Sequence, residues 1–545
     1  MVSRDNLKPY LLISLAWTLS RLYPLANAVP LSFWEVWEAK KLMEYGFLER
    51  HGAVINWHFM TGHLENPEMF NYINHPLPMI WLDTGIFHLF GGWGIIIFNA
   101  VAGLLASFVV YVTLKKLFSP QLSLFGSLIY VLAPASILFD VDPSIVALGS
   151  LLWPFATYII ISSQNKENRF ILFAAAVLIF IFGQISWFSF TLLPSILIII
   201  TWQCNRENDN SSIRLRRRLI IACGIGAFTS VAFFLCQILY YTPDWHNTVT
   251  YITGQHGLEN NVSFSKMVWT IIVRSVISAG PALSIGALLC FVLHRRINWH
   301  NCILKSSIIY LMVFAVAAMV LPRFFFRERT MYAYLIFPLT ILSVQTLDII
   351  SKASGRRIIM TLAVFGALYP QLQASIPPVS DSSIALGRFI NTISQPTDVV
   401  ATNWRDQNRP FENWDIGGIH NLGKAADRLL RGNIITVKDL ENVHSSFKNK
   451  ELKIVYLFDV NEKIDNSLKS IMEKIKPVLS MEINIARQKP KIATKIRNFY
   501  WKLTSQQQAT DIQDAEPWRL NLLVYRFTMS TSGRVSTLSL PSNNL

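Results

Sequence analysis

Residues 29–52 read VPLSFWEVWEAKKLMEYGFLERHG, and residues 55–92 read INWHFMTGHLENPEMFNYINHPLPMIWLDTGIFHLFGG. This stretch lies between the first two long apolar runs and is rich in Trp, Phe, His and Glu. Trp34, Trp37 and Lys41 recur at spacings of three and four, which predicts a helix that Gly46 stops. Pro76 to Phe90 is apolar but shorter than the about 20 residues needed to cross a bilayer, which predicts a helix lying in the interface. A long connection built of surface helices and carboxylates predicts a site at the membrane face.

The flanking sequence sets that loop in a membrane domain. The chain has 545 residues, 52% of them hydrophobic and only 15% charged, with a mean hydropathy of +0.35. A soluble protein of this length is rarely so apolar. The apolar residues come in runs that end near residue 375, and the composition is ordinary after it. The reading is a polytopic α-helical membrane domain over 1–375, with the exterior loop at 30–92, followed by a soluble domain over 376–545.

The net charge of +15 invites a nucleic-acid partner. The Lys and Arg residues sit mostly at the ends of apolar runs, which is the pattern of membrane orientation and not of a phosphate-tracking groove. Cys204, Cys223, Cys236, Cys290 and Cys302 all lie in or beside spans without metal-ligand spacing, as small apolar fillers do. Near the N-terminus, Ala26-Asn27-Ala28 resembles a signal-peptidase site. Arg21 and Trp17 interrupt the apolar stretch before it, so the first span is read as uncleaved.

The expected spans are 9–29, 94–114, 121–139, 144–163, 169–183, 186–203, 219–240, 270–294, 303–321, 330–349 and 357–375. That is about eleven, or ten to thirteen because 169–203 is nearly continuous. With the N-terminus inside, the inside connections carry Lys115-Lys116, Lys166 to Arg169, Arg214 to Arg218, Arg295-Arg296 with Lys305, and Lys352 with Arg356-Arg357. The outside connections at 140–143 and 184–187 carry no Lys or Arg, and 241–268 carries only Lys266. This asymmetry orients the chain and puts the C-terminal domain outside. One outside connection, 321–329, breaks the pattern with Arg323, Arg327 and Arg329 among aromatics. It reads either as an anchor against lipid headgroups or as a phosphate clamp, since guanidinium forks match phosphate oxygens.

The C-terminal domain alternates strand-like runs at 399–402, 433–437, 453–459 and 522–527 with helix-like segments near 420–431 and 465–476. That is an α/β or α+β pattern. Asn261-Val262-Ser263 is a glycosylation sequon, meaningful only in a eukaryotic secretory membrane.

Ionisable groups at the exterior membrane edge are the candidates for chemistry. Asp140 and Asp142 follow an apolar run and precede Pro143. A carboxylate there is costly unless paired or solvated, and Asp is also a favoured helix cap. On the loop helix, Glu38 has Lys41 three residues on, whereas Glu35 has no cation one turn away. His51, His58, His63 and His75 show no metal-ligand pattern. No Walker-A loop or dinucleotide fingerprint occurs, so bound nucleotide has no support.

Three segments carry a family resemblance. The first is Ala39-Lys40-Lys41-Leu42-Met43-Glu44-Tyr45-Gly46, followed by His75-Pro76-Leu77-Pro78 and Phe87-His88-Leu89-Phe90-Gly91. The second runs from Ala133-Pro134 to Asp142-Pro143. The third runs from Arg327 through Tyr332 to Pro338. In their order and spacing they resemble the integral-membrane glycosyltransferases of the GT-C fold, in the branch with protein mannosyltransferases and lipid A aminoarabinose transferases. The resemblance covers residues 9–375. In that family an acidic pair opens the first exterior loop, and here Leu31 and Ser32 stand at those positions. Either Glu35, one turn later, has the role, or the first acid is missing. Asp142-Pro143 matches the family's second acid.

The resemblance implies transfer of a hexose or pentose from a polyprenyl-phosphate carrier to a lipid, glycan or protein acceptor on the exterior face. Asp142, Glu35 and Asp140 are then the expected catalytic acids. Arg327, Arg329 and Arg323 are the expected donor-phosphate ligands, and His75, Glu38 and Tyr332 the expected substrate contacts. No cofactor is called for, and a divalent metal is left open. The expected location is a bacterial inner membrane in the cell envelope. Two other readings stay open: a flippase or transporter of lipid-linked sugars, and a catalytically silent relative that binds them.

Overall fold

In the computed structural model the described residues are 4–26, 77–141, 146–162, 169–185, 210–241, 263–296, 302–320, 330–350, 353–374, 399–402, 433–436, 452–460, 475–485, 518–529 and 535–539, with isolated positions such as Ala39 and Phe325. The apolar runs form helices. They are α1 (Arg4–Ala26), α2 (Leu77–Lys115), α3 (Pro120–Leu132), α4 (Pro134–Val141), α5 (Val146–Ser162), α6 (Arg169–Ile185), α7 (Asn210–Tyr241), α8 (Phe264–Val292), α9 (Cys302–Val320), α10 (Ile336–Ile349) and α11 (Ala353–Ala374).

Among the described residues, five helices are long and apolar enough to cross a membrane, or six if the bent pair α3–α4 is one span. Each lies at an expected span. Parts of α5 and α6 form shorter apolar helices. The expected span 186–203 lies mostly outside the described residues. The chain is therefore a polytopic helical membrane protein.

Two expected elements join in α2. The interfacial piece and the span at 94–114 meet at Gly91, whose φ of 67° and ψ of −168° interrupt the helix. That conformation is essentially reserved to glycine.

The third expected span differs from its prediction as one straight helix. It starts as its sequence dictates: Pro120 fits the first helical turn, and the Ser119 side chain accepts a hydrogen bond from the Leu122 amide at 3.5 Å. It then breaks, because Pro134 has no N–H and its ring clashes with the preceding turn. Ala133 is extended (φ −63°, ψ 134°), and α4 leaves at 59° to α3.

Helix α10 is the hub of the bundle, and 11 of its residues are buried, from Ile336 to Leu347. Close approach there depends on small residues, as is usual between membrane helices. A Cβ at Gly126 of α3 would lie 2.4 Å from Val344 Cγ2, and one at Gly286 of α8 would lie 2.5 Å from Ser343 Oγ. The Thr346 hydroxyl donates to the Gly286 carbonyl at 2.7 Å. Preceding α10, a 3₁₀ turn at Thr330–Leu335 buries Tyr332 and Tyr334.

The described residues of the C-terminal region form a mixed six-stranded sheet of order β2-β1-β3-β5-β4, with β6 beside β5. The strands are β1 (Val399–Thr402), β2 (Asn433–Thr436), β3 (Leu452–Asp459), β4 (Leu479–Ile485), β5 (Trp518–Met529) and β6 (Val535–Thr537). β1 runs parallel to β2 and β3, and β3 runs antiparallel to β5. β3 is central, so Ile454 to Phe458 are all buried and read as a continuous apolar run. Four strands match expectation. β4 and β6 were not expected; β6 has only 3 residues, and β4 reads LSMEINI, alternating apolar and polar residues. The helix-like segments near 420–431 and 465–476 lie almost wholly outside the described residues.

Candidate functional site

The break at Pro134 turns α4 back toward α1, and a buried cluster of charge forms where they meet. Arg21 of α1 is 0% exposed and Asp140 of α4 is 5% exposed. Asp140 was expected as an acid in an outside connection. The structure corrects that placement: it lies within α4 and is buried, because the bend turns the end of the apolar run inward.

Arg21 donates to Asp140 Oδ2 from Nε at 3.1 Å and from Nη2 at 2.8 Å. Trp17 Nε1 donates to the same oxygen at 2.9 Å. Trp17 and Arg21 are four apart, so one face of α1 carries both donors. The Arg21 guanidinium carbon also lies 5.4 Å from the Trp17 ring centroid, within cation–π range.

The other end of the guanidinium faces α3. Arg21 Nη1 donates to the Val131 carbonyl at 2.6 Å and to Ser20 Oγ at 2.6 Å. Val131 is in the last turn of α3, where carbonyls lose their helical partners. Its usual donor would be the amide of residue 135, which the bend carries away. A cation at that helix end meets both the free carbonyl and the negative end of the helix dipole. Gln371 of α11 donates to the Ser20 carbonyl.

Gly103 of α2 closes the remaining side. A Cβ there would lie 2.1 Å from Asp140 Cγ and within 2.5 Å of both carboxylate oxygens. Only glycine lets α2 approach so near. The signal that could have found this cluster was in the sequence: a lone arginine in an apolar span needs a partner.

A second buried arginine was also missed. Arg274 of α8 is 3% exposed, and its Nη1 donates to the Phe325 carbonyl at 3.4 Å. The Tyr332 hydroxyl donates to the same carbonyl at 2.7 Å. The Phe325 ring is buried and packs edge-on against Phe314, with centroids 5.0 Å apart. Phe325 stands two residues from both Arg323 and Arg327 in the chain, and this contact ties Phe325 to α8. Tyr332, expected as a substrate contact, is 0% exposed, and its hydroxyl is held by backbone.

Asp142, Glu35, Glu38, His75, Arg323, Arg327 and Arg329 lie outside the described residues. Among the described residues, no three His, Cys, Asp or Glu side chains are grouped to hold a metal ion.

Residues 74–232 match the family model of dolichyl-phosphate-mannose-protein mannosyltransferase. That range holds α2 to α6, with Gly103 and Asp140. No curated protein matches the chain by sequence. Among solved structures, ArnT from Cupriavidus metallidurans bound to undecaprenyl phosphate has a TM-score of 0.50 at 12% identity, covering 90% of this chain and 97% of that one. The oligosaccharyltransferase of Archaeoglobus fulgidus in complex with Zn and sulfate has a TM-score of 0.46 at 12% identity, covering 82% of this chain and 68% of that one. The archaeal oligosaccharyltransferase AglB, from the same organism, in complex with an inhibitory peptide and a dolichol-phosphate, also scores 0.46, at 10% identity, covering 84% and 70%. The fold of this chain is GT-C-like, and the resemblance read from its motifs is borne out.

Proposed function

From a GT-C-like fold and a mannosyltransferase model matched over residues 74–232, we propose that the protein is an integral-membrane glycosyltransferase. It moves a sugar from a polyprenyl-phosphate carrier to an acceptor on the exterior face of a bacterial inner membrane. The observation that carries this reading is the sequence match, because it spans the segment ending in Asp142-Pro143. The likeness to ArnT supports the architecture.

The step follows from the residue types. A carboxylate, Asp142 or Glu35, takes the proton as the acceptor's hydroxyl or amine attacks the anomeric carbon. The bond from that carbon to the carrier phosphate breaks, and the lipid phosphate leaves with the electron pair. Arginines from 323–329 stabilise the departing charge. Phe325, which stands between Arg323 and Arg327 in the chain, has its carbonyl held by Arg274 and Tyr332, and this anchor supports that role. His75 and Glu38 contact substrate, and the C-terminal sheet lies on the exterior side.

The test is transfer by purified protein from a panel of polyprenyl-phosphate sugars. Asp142→Asn should cut turnover about 10²- to 10⁴-fold, the usual worth of general-base catalysis, with little loss of folded protein. Glu35→Gln should match it only if Glu35 replaces the acid absent at Leu31-Ser32. Binding of the lipid donor without transfer, in every pairing, would favour the silent relative that Leu31-Ser32 keeps open.

A further inference from the structure

We propose that Arg21 and Asp140 form a clamp that locks the bent arm α4 onto α1. Asp140 then serves the reaction as a positioning residue and not as the proton acceptor. The catalytic half of this inference rests on the function proposed above; the clamp itself rests on geometry alone.

Three features support it. First, the hydrogen bonds that Asp140 accepts from Trp17 and Arg21 all end on Oδ2. Taking up a proton would leave the Arg21 guanidinium, which is fully buried, without its counter-charge. Second, the approach from α2 is closed. The Gly103 backbone lies where even one added carbon would overlap the carboxylate, so no acceptor hydroxyl reaches Asp140 from that side. Third, the same guanidinium holds both arms of the break. Two of its nitrogens bind Asp140 on α4, and the third binds the Val131 carbonyl on α3. It thereby fixes the 59° bend. Asp142 follows Asp140 by two residues, and two residues of chain reach at most about 7 Å. Whatever fixes Asp140 therefore limits where Asp142 stands.

A charge clamp and a proton acceptor respond oppositely to removal of the partner. Breaking a buried pair leaves one unpaired charge, whereas replacing both members with apolar side chains is often tolerated. The test compares Asp140→Asn, Arg21→Met and the double variant Arg21→Met with Asp140→Leu, each purified at full length. Under the proposal, both single variants unfold at lower temperature in detergent and turn over at least tenfold more slowly. The double variant regains unfolding temperature and exceeds Asp140→Asn in turnover by at least tenfold. A folded double variant as slow as Asp140→Asn overturns the positioning role.

Trp17→Phe removes one donor and keeps both charges, so it covers the case in which the Asp140 variants fail to fold. Its kcat should fall two- to tenfold with the acid limb of the pH profile unmoved. A shifted acid limb would make Asp140 the titrating group and overturn the proposal. Unfolding needs no substrate, so the two levels separate. If the wild-type chain transfers no sugar while the unfolding temperatures show coupling, the clamp stands and the catalytic half falls with the proposed function. If it transfers sugar and the temperatures add without coupling, the clamp alone fails.

Discussion

Among the described residues, two breaks in the bundle fall at a proline, and they are repaired differently. The first break is Ala133-Pro134, between α3 and α4. The second is Gly280-Pro281 within α8, where Gly280 has φ 75° and ψ 169°. The two touch: a Cβ at Gly280 would lie 2.8 Å from Pro134 Cδ, and one at Gly366 of α11 would lie 3.1 Å from Pro281 Cδ. At the first break the freed carbonyl, Val131, takes a guanidinium nitrogen at 2.6 Å. At the second, the Val276 carbonyl takes a neutral donor, the Ser284 hydroxyl, at 3.4 Å. Charge-assisted bonds are roughly twice as strong as neutral ones. One break is therefore locked by charge, and the other is held by the close packing of glycines and prolines. The locked break bears the acid.

Substitutions sharpen or break that contrast. The largest effect is expected for Asp140→Asn or Arg21→Met, since either leaves a buried pair half made. Each should cost about 3–5 kcal/mol, read as a lowered unfolding temperature in detergent. Trp17→Phe removes one hydrogen bond to a carboxylate and should cost about 1.5–3 kcal/mol, again read from unfolding.

At the second break, Gly280→Ala adds a Cβ against Pro134 and takes up a backbone conformation reserved to glycine. It should cost about 1–3 kcal/mol. If it costs as much as Asp140→Asn, the packed break is no weaker than the charged one, and the contrast is lost. Ser284→Ala should fall within about 0.5 kcal/mol, because the hydroxyl is exposed and its bond long. A larger loss would mean that the second break also depends on a polar repair.

Much of this architecture was legible in one dimension. Helices α5, α6, α9 and α11 begin and end within a few residues of the apolar runs that predict them, because a membrane helix satisfies its own backbone. Strands β1, β2, β3 and β5 were read from β-branched and aromatic runs. β6 was missed because a 3-residue strand carries little periodic signal; β4 was missed although LSMEINI alternates apolar and polar residues throughout, the period of a half-buried strand. Pro134 was visible, but the 59° bend was not. A proline states that a helix hydrogen bond is lost, not where the chain goes next.

The site divides in the same way. Arg21, Asp140 and Arg274 were each conspicuous as charges in or beside apolar runs, and the cost of an isolated charge in lipid requires a partner for each. Which partner was undetermined. Arg21 and Asp140 stand 119 positions apart, and Arg274 meets a backbone carbonyl 51 positions away. Local periodicity reaches three or four residues along a helix, so it carries no information at such separations. The sequence by itself determined that this is a polytopic membrane protein, where its helices lie and which charges need company. Only the tertiary structure decided the company, because pairing depends on the bend at Pro134 and on the close approach of α2 at Gly103.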